Sequence, residues 1–205
     1  MSLAKVIPLA FVMIAGPQLL SAIFLATSEN WRRNSAAYVA GAAISITTVV
    51  TLAFLLSTGA SKHGASGNTL DIIFMVLLVA AGLHTYLTRK TSKPPKWMGE
   101  LETATPKLSF RLGFLLLGVF PTDILTSFAV GGSLARHGDP WWHVLPFVLL
   151  TLLFIALPAL LLLTLGQRAQ RLLPKVRDWM NDNSWIVSEI VIGLFVVITA
   201  SSLAG

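Results

Sequence analysis

The feature that most limits what this chain can fold into is a set of six apolar runs, at about residues 3–27, 35–57, 69–88, 108–134, 142–165 and 184–204. A helix needs about 20 mostly apolar residues to cross about 30 Å of hydrocarbon, and every run is long enough. Of 205 residues, 55% are hydrophobic and only 12% are charged, roughly half the charged share of a soluble domain. Lipid is the solvent that suits such a chain. No stretch alternates with a period of two over enough strands for a barrel, so the spans are helices. Lys5 precedes the first run as in a signal peptide, but Gly16-Pro17 sits in its middle and no Ala-x-Ala-like site follows, so it reads as a retained span. The expectation is an all-α integral membrane protein, one transmembrane domain over residues 1–205.

Lys and Arg set the orientation. Lys5, Lys62 and Arg136 fall on one side of the six spans. The other side collects Arg32 and Arg33, then Arg89, Lys90, Lys93, Lys96, Lys107 and Arg111, then Arg168, Arg171, Lys175 and Arg177. Three against twelve predicts a multi-pass plasma-membrane protein with the first, third and fifth loops cytoplasmic and both termini outside. The net charge of +6 then needs no nucleic acid. Membrane lipids are the expected partners, and Trp31, Trp97, Trp141, Trp142, Trp179 and Trp185 fit interfacial anchoring. The basic loop at 89–107 reads either as topology alone or as a patch for acidic headgroups.

That loop divides the chain into a first repeat (1–92) and a second (108–205), three spans each. Two odd-numbered halves of one ancestral fold must be inverted relative to each other. Midway along the first span stands Gly16-Pro17-Gln18-Leu19-Leu20-Ser21, and midway along the fourth stands Phe120-Pro121-Thr122-Asp123-Ile124-Leu125-Thr126-Ser127. Proline cannot donate to the carbonyl four residues back, so the pattern predicts kinks in spans one and four that free the carbonyls of Met13 and Leu117. Such groups are tolerated in mid-membrane only where they face protein or a wet cavity. An ionised carboxylate there costs at least about 2.5 kcal/mol, so Asp123 is expected to face the bundle interior, neutralised by a proton or balanced by a cation or cargo. Its other reading is structural, a carboxyl hydrogen-bonded to a neighbouring helix. Gln18 is its natural partner across the two kinks, with Ser21, Thr126 and Ser127 one turn further on. The expected substrate or coupling site is therefore Pro17, Gln18, Ser21, Pro121, Thr122, Asp123, Thr126 and Ser127, with Arg32, Arg33 and Asn34 at the cytoplasmic mouth.

The remaining motifs argue against other chemistry. The chain has no cysteine, and its four histidines (His63, His84, His137, His143) divide between the two sides with no close pair, so neither metal nor cofactor is expected. No paired carboxylates or Ser/Lys dyad at credible depth mark an enzyme. Ala37, Gly41, Ser45 and Thr48 form a small-residue stripe that reads as close helix packing, with Thr51 extending its edge.

The segment Ser28-Glu29-Asn30-Trp31-Arg32-Arg33-Asn34 running on to Gly41, the loop Pro95-Lys96-Trp97-Met98, and Leu112-Gly113 before the span-four proline resemble the lysine-exporter (LysE) superfamily, most closely its glycopeptidolipid- and sulfolipid-addressing (GAP) branch. Where that branch carries Asn-Pro-Lys in span four, this chain has Phe120-Pro121-Thr122-Asp123, an acidic residue in place of a basic one. The resemblance implies a plasma-membrane exporter of six spans in two inverted repeats, moving a small amphipathic or envelope-lipid-related substrate outward. Proton or cation coupling would run through Asp123. The alternative is a non-transporting accessory subunit that scaffolds an envelope-lipid synthesis or export complex. Either accommodates assembly of several copies.

Overall fold

The protein is seen here as a computed structural model that describes residues 3–14, 16–62, 101, 103–183 and 186. Among these it is all-helical: α1 (Leu3–Ile14), α2 (Pro17–Ala26), α3 (Trp31–Lys62), α4 (Pro106–Gly118), α5 (Pro121–Arg136), a 3-10 turn (Trp141–Val144), α6 (Leu145–Leu165) and α7 (Gln167–Asp182). The third apolar run, most of the sixth and most of the 89–107 loop lie outside the described residues.

Two stretches, Trp31–Gly59 (29 residues) and Trp141–Leu165 (25 residues), are long and apolar enough to cross a membrane unaided. The pairs α1–α2 and α4–α5, bent by 67° and 59°, bring the number to four when each pair is one span. Large side chains point away from the bundle: Ile44, Leu52, Leu55 and Leu56 on α3, with Leu149, Leu153 and Leu163 on α6, are 51–64% exposed. So continuous an apolar surface is a lipid-facing one. Four threonines on these helices bond locally. Thr48 donates to the Ile44 carbonyl (2.7 Å), Thr58 to Phe54 (2.8 Å), Thr151 to Phe147 (2.8 Å) and Thr164 to Leu160 (2.9 Å). In hydrocarbon that bond to the preceding turn is the escape open to any helical Ser or Thr.

The two expected kinks are breaks. A kink would leave a continuous helix with a missing bond, whereas α1 stops at Ile14 and α4 at Gly118, and a new helix begins at each proline. The cause lies one residue earlier. The residue before a proline is driven out of the α region. Gly16 accordingly takes φ 106, ψ −138, a conformation that only glycine adopts without strain, and Phe120 is extended at φ −66, ψ 131. As first helical residues, Pro17 and Pro121 forfeit no helical hydrogen bond. The helix ends themselves, not single freed carbonyls of Met13 and Leu117, supply the unsatisfied backbone at each break.

Helices α3 and α4 run parallel in near-backbone contact. Asn34 meets Ala104, Gly41 faces Phe110, and the Ser45 hydroxyl donates to the Phe114 carbonyl (2.7 Å), with both numbers climbing together. The register continues into α5, where Gly131 lies against Val50 and Phe54 and Gly132 against Ser57. A methyl at Gly41 would run into the Phe110 carbonyl, and one at Gly113 into that of Tyr38. Gly41 and Ser45 of the expected stripe thus pack helix on helix. Thr48 faces outward, and Thr51 accepts from Trp141 Nε1 (3.0 Å).

Candidate functional site

The two breaks meet. Helix α1 packs against α5 and α2 against α4, so the interrupted helices cross antiparallel, first half of one beside second half of the other. At the crossing, Gln18 Nε2 donates to Asp123 Oδ2 at 2.8 Å, 105 residues away in sequence. Gln18 is the second residue of α2 and Asp123 the third of α5, so both side chains project from first turns. First turns carry outward-pointing amides and the positive end of the helix dipole, a setting that favours a carboxylate.

Around this pair Gln18, Ser21, Asp123, Thr126 and Ser127 are all 0% exposed. Ser21 follows Gln18 by one turn on α2, and Thr126 and Ser127 follow Asp123 by one turn on α5. Tyr38 of α3, 1% exposed, closes the group by donating its hydroxyl to the Gln18 carbonyl (2.9 Å). Tyr38 was absent from the sequence-level site. The available signal was a phenol inside an apolar run, since a buried tyrosine hydroxyl needs a partner.

Two polar atoms of this group, Gln18 Oε1 and Ser127 Oγ, are buried with no hydrogen-bond partner among the described residues, and Ser21 Oγ has only the Tyr38 phenol near it. A buried polar group left so costs about 1–3 kcal/mol. The contrast with the four threonines is instructive: Ser21 and Ser127 sit on helices and could bond the preceding turn, yet they do not. Gln18 Oε1 turns back toward Gly16 at the break. The arrangement keeps hydrogen-bonding atoms in reserve beside a carboxylate, in a site closed to solvent.

The other expected site residues are distributed differently. Pro17 and Pro121 shape the breaks through their backbone, and Thr122 stands between Pro121 and Asp123 in the first turn of α5. Arg32 and Arg33 are exposed at the start of α3, with the Arg32 guanidinium 5.2 Å from the centre of the Trp31 ring. Asn34, grouped with them as a cytoplasmic mouth, is 0% exposed. Its Nδ2 donates to Ser28 Oγ (2.9 Å) and to the Ala104 carbonyl (2.8 Å), and Ser28 in turn donates to the Leu25 carbonyl (2.7 Å). The amide therefore pins the α2–α3 turn to the approach of α4. At the other end of α5, His137 Nδ1 lies 2.7 Å from the Ser133 carbonyl and His143 pairs with Asp139 at 3.5 Å.

Lipid-facing helices, two spans interrupted at proline and a sealed polar pair where the interruptions cross define an integral membrane protein with a buried intramembrane polar centre. The chain belongs to the family of Sap, the sulfolipid-1-addressing protein, whose family model matches residues 6–204. No curated protein and no solved structure gives a match. Two of the segments that carried the resemblance now have a physical account. Gly41, at the end of the Arg-Arg-Asn segment, and Gly113, in Leu112-Gly113, are the reciprocal pair through which α3 and α4 touch.

Proposed function

We propose that this protein is a non-enzymatic exporter of the lysine-exporter (LysE) type in the plasma membrane, with six spans in two inverted repeats and both termini outside. The observation that carries the reading is the 2.8 Å bond between Gln18 and Asp123, a buried contact made by corresponding turns of two antiparallel broken helices. Paired interruptions of this kind are the mark of a transporter's central site. The parallel run of α3 and α4 supports the span count, since neighbours joined by a short loop run antiparallel. The apolar run at 69–88 has the length to supply the return.

The name of the family points to an amphipathic, anionic envelope lipid or a precursor of one as cargo. Two first turns facing each other favour an anion, and Asp123 occupies that setting. Anionic cargo entering from the cytoplasmic side past Arg32 and Arg33 would take the place of the Asp123 charge as Asp123 binds a coupled proton or cation, and would draw on Gln18 Oε1, Ser21 and Ser127 for hydrogen bonds. Rocking of one repeat against the other would then open the site outward. The test is export by reconstituted vesicles carrying Asp123→Asn, which keeps shape and hydrogen bonding but cannot titrate. Insertion and folding should survive while gradient-driven export is lost. Full export with unchanged pH dependence would remove the coupling role and move the accessory-subunit reading ahead.

A further inference from the structure

Helix α7 departs from the rest of the bundle in being amphipathic and charged. Its inner face is Ala169, Leu173 and Met180, all buried, with Val176 packed against the same core. The Arg177 guanidinium lies 4.9 Å from the centre of the Phe24 ring, which holds α7 against α2 near the end of that helix where Arg32 and Arg33 begin the next. A helix docked in this way onto a water-facing surface would carry polar residues everywhere else. Instead Leu172 and Trp179, two turns apart on one line, are 56% and 53% exposed. About 40° further round the helix, at 100° per residue, Arg168 and Lys175 form a second line, and Arg171 a third, all three exposed. Asp178 is turned to Arg177 at 3.0 Å, and Asp182 closes the helix at its far end.

The order around α7 is therefore packed face, exposed apolar line, basic line. Water alone would not stabilise the Leu172 and Trp179 line, and a purely zwitterionic surface would leave the cations without counter-charge. No acidic residue occupies the first turn, where Arg168 faces the positive end of the helix dipole, an arrangement that an external anion relieves. A leaflet containing anionic phospholipid satisfies all of these. Leu172 and Trp179 enter the boundary between headgroups and acyl chains, and Arg168, Arg171 and Lys175 extend to the phosphates.

We infer that α7 is an anionic-phospholipid docking surface, lying in the headgroup plane with Leu172 and Trp179 dipped into the leaflet and Arg168, Arg171 and Lys175 binding lipid phosphate. The inference stands independently of export, because it uses none of the polar residues where the broken helices cross. Through Phe24, lipid held on α7 bears on the same half-helix that carries Gln18.

The test uses the full chain in vesicles containing brominated phosphatidylglycerol or, at equal mole fraction, brominated phosphatidylcholine. The Trp179 signal is isolated by subtracting the Trp179→Phe variant. Phosphatidylglycerol should quench Trp179 more strongly, and the preference should fade as salt rises from about 0.05 M to about 0.5 M. Arg168→Gln/Arg171→Gln/Lys175→Gln should weaken the apparent preference by about fivefold per cation, on the order of a hundredfold in all. Lys107→Gln/Arg111→Gln should leave it in place. Equal quenching by the two lipids in the unaltered chain, or a preference insensitive to salt, overturns the inference even if the triple variant does not insert. A triple variant that inserts and keeps the full preference overturns it as well.

Discussion

Replacing Gln18 by leucine removes a buried amide donor from Asp123 while nearly preserving volume. At 2.8 Å and 0% exposure on both sides, this is a bond made out of water, of the charge-assisted kind worth about 1.5–3 kcal/mol. For a chain of this size about 1 kcal/mol moves the melting temperature by about 2–4 °C, so Gln18→Leu should lower it by about 3–12 °C. The informative arm is the double variant Gln18→Leu/Asp123→Leu. Losing one partner leaves the other short of a buried hydrogen bond, whereas replacing both by apolar side chains of similar size is nearly neutral. The double variant should therefore melt above Gln18→Leu, although it carries one substitution more, and should lose export entirely. Melting of the unaltered chain, Gln18→Leu, Asp123→Leu and the double variant, followed by tryptophan fluorescence in a mild detergent, gives all four values. A double variant at or below the sum of the singles would show that the two residues do not interact, and the crossing of the broken helices would have to be redrawn.

Three further outcomes are expected. Gly41→Ala should destabilise by about 1–3 kcal/mol, because its methyl meets the Phe110 backbone. Gly59→Ala, with open space around it, should instead stabilise by about 1 kcal/mol through helix propensity, and equal effects in chemical denaturation would contradict the α3–α4 contact. Because the chain has no native cysteine, His137→Cys should react with an impermeant maleimide on intact cells while Gln170→Cys should not; the reverse pattern would invert the orientation. Asn34→Leu should cost about 1–3 kcal/mol by releasing the α2–α3 turn from Ala104, with Ser28→Ala milder; an unchanged melting temperature would deny the clamp.

Sequence alone determined that this chain lives among lipids, that its described parts are helical, and that residues around Pro17 and Pro121 are exceptional. Apolar runs, backbone hydrogen bonding in hydrocarbon and the missing amide of proline act on a chain locally, so they can be read from neighbours in sequence. The two polar stripes were legible for the same reason, each spaced at one helical turn. What the tertiary structure decided was how these stretches meet. Whether proline bends a helix or ends it turned on the backbone that Gly16 and Phe120 adopt under packing, and the outcome was a break. Tyr38 entered the centre because the fold packs α3 against α2, bringing the phenol to the Gln18 carbonyl. Asn34 left the surface because the turn beside it folds onto Ala104, 70 residues away. The hydroxyls of Ser21 and Ser127 look in sequence like those of Thr151 and Thr164. Only the fold, which brings Ser21 and Ser127 to the buried turns beside Gln18 and Asp123 because the two broken helices cross there, sets them apart.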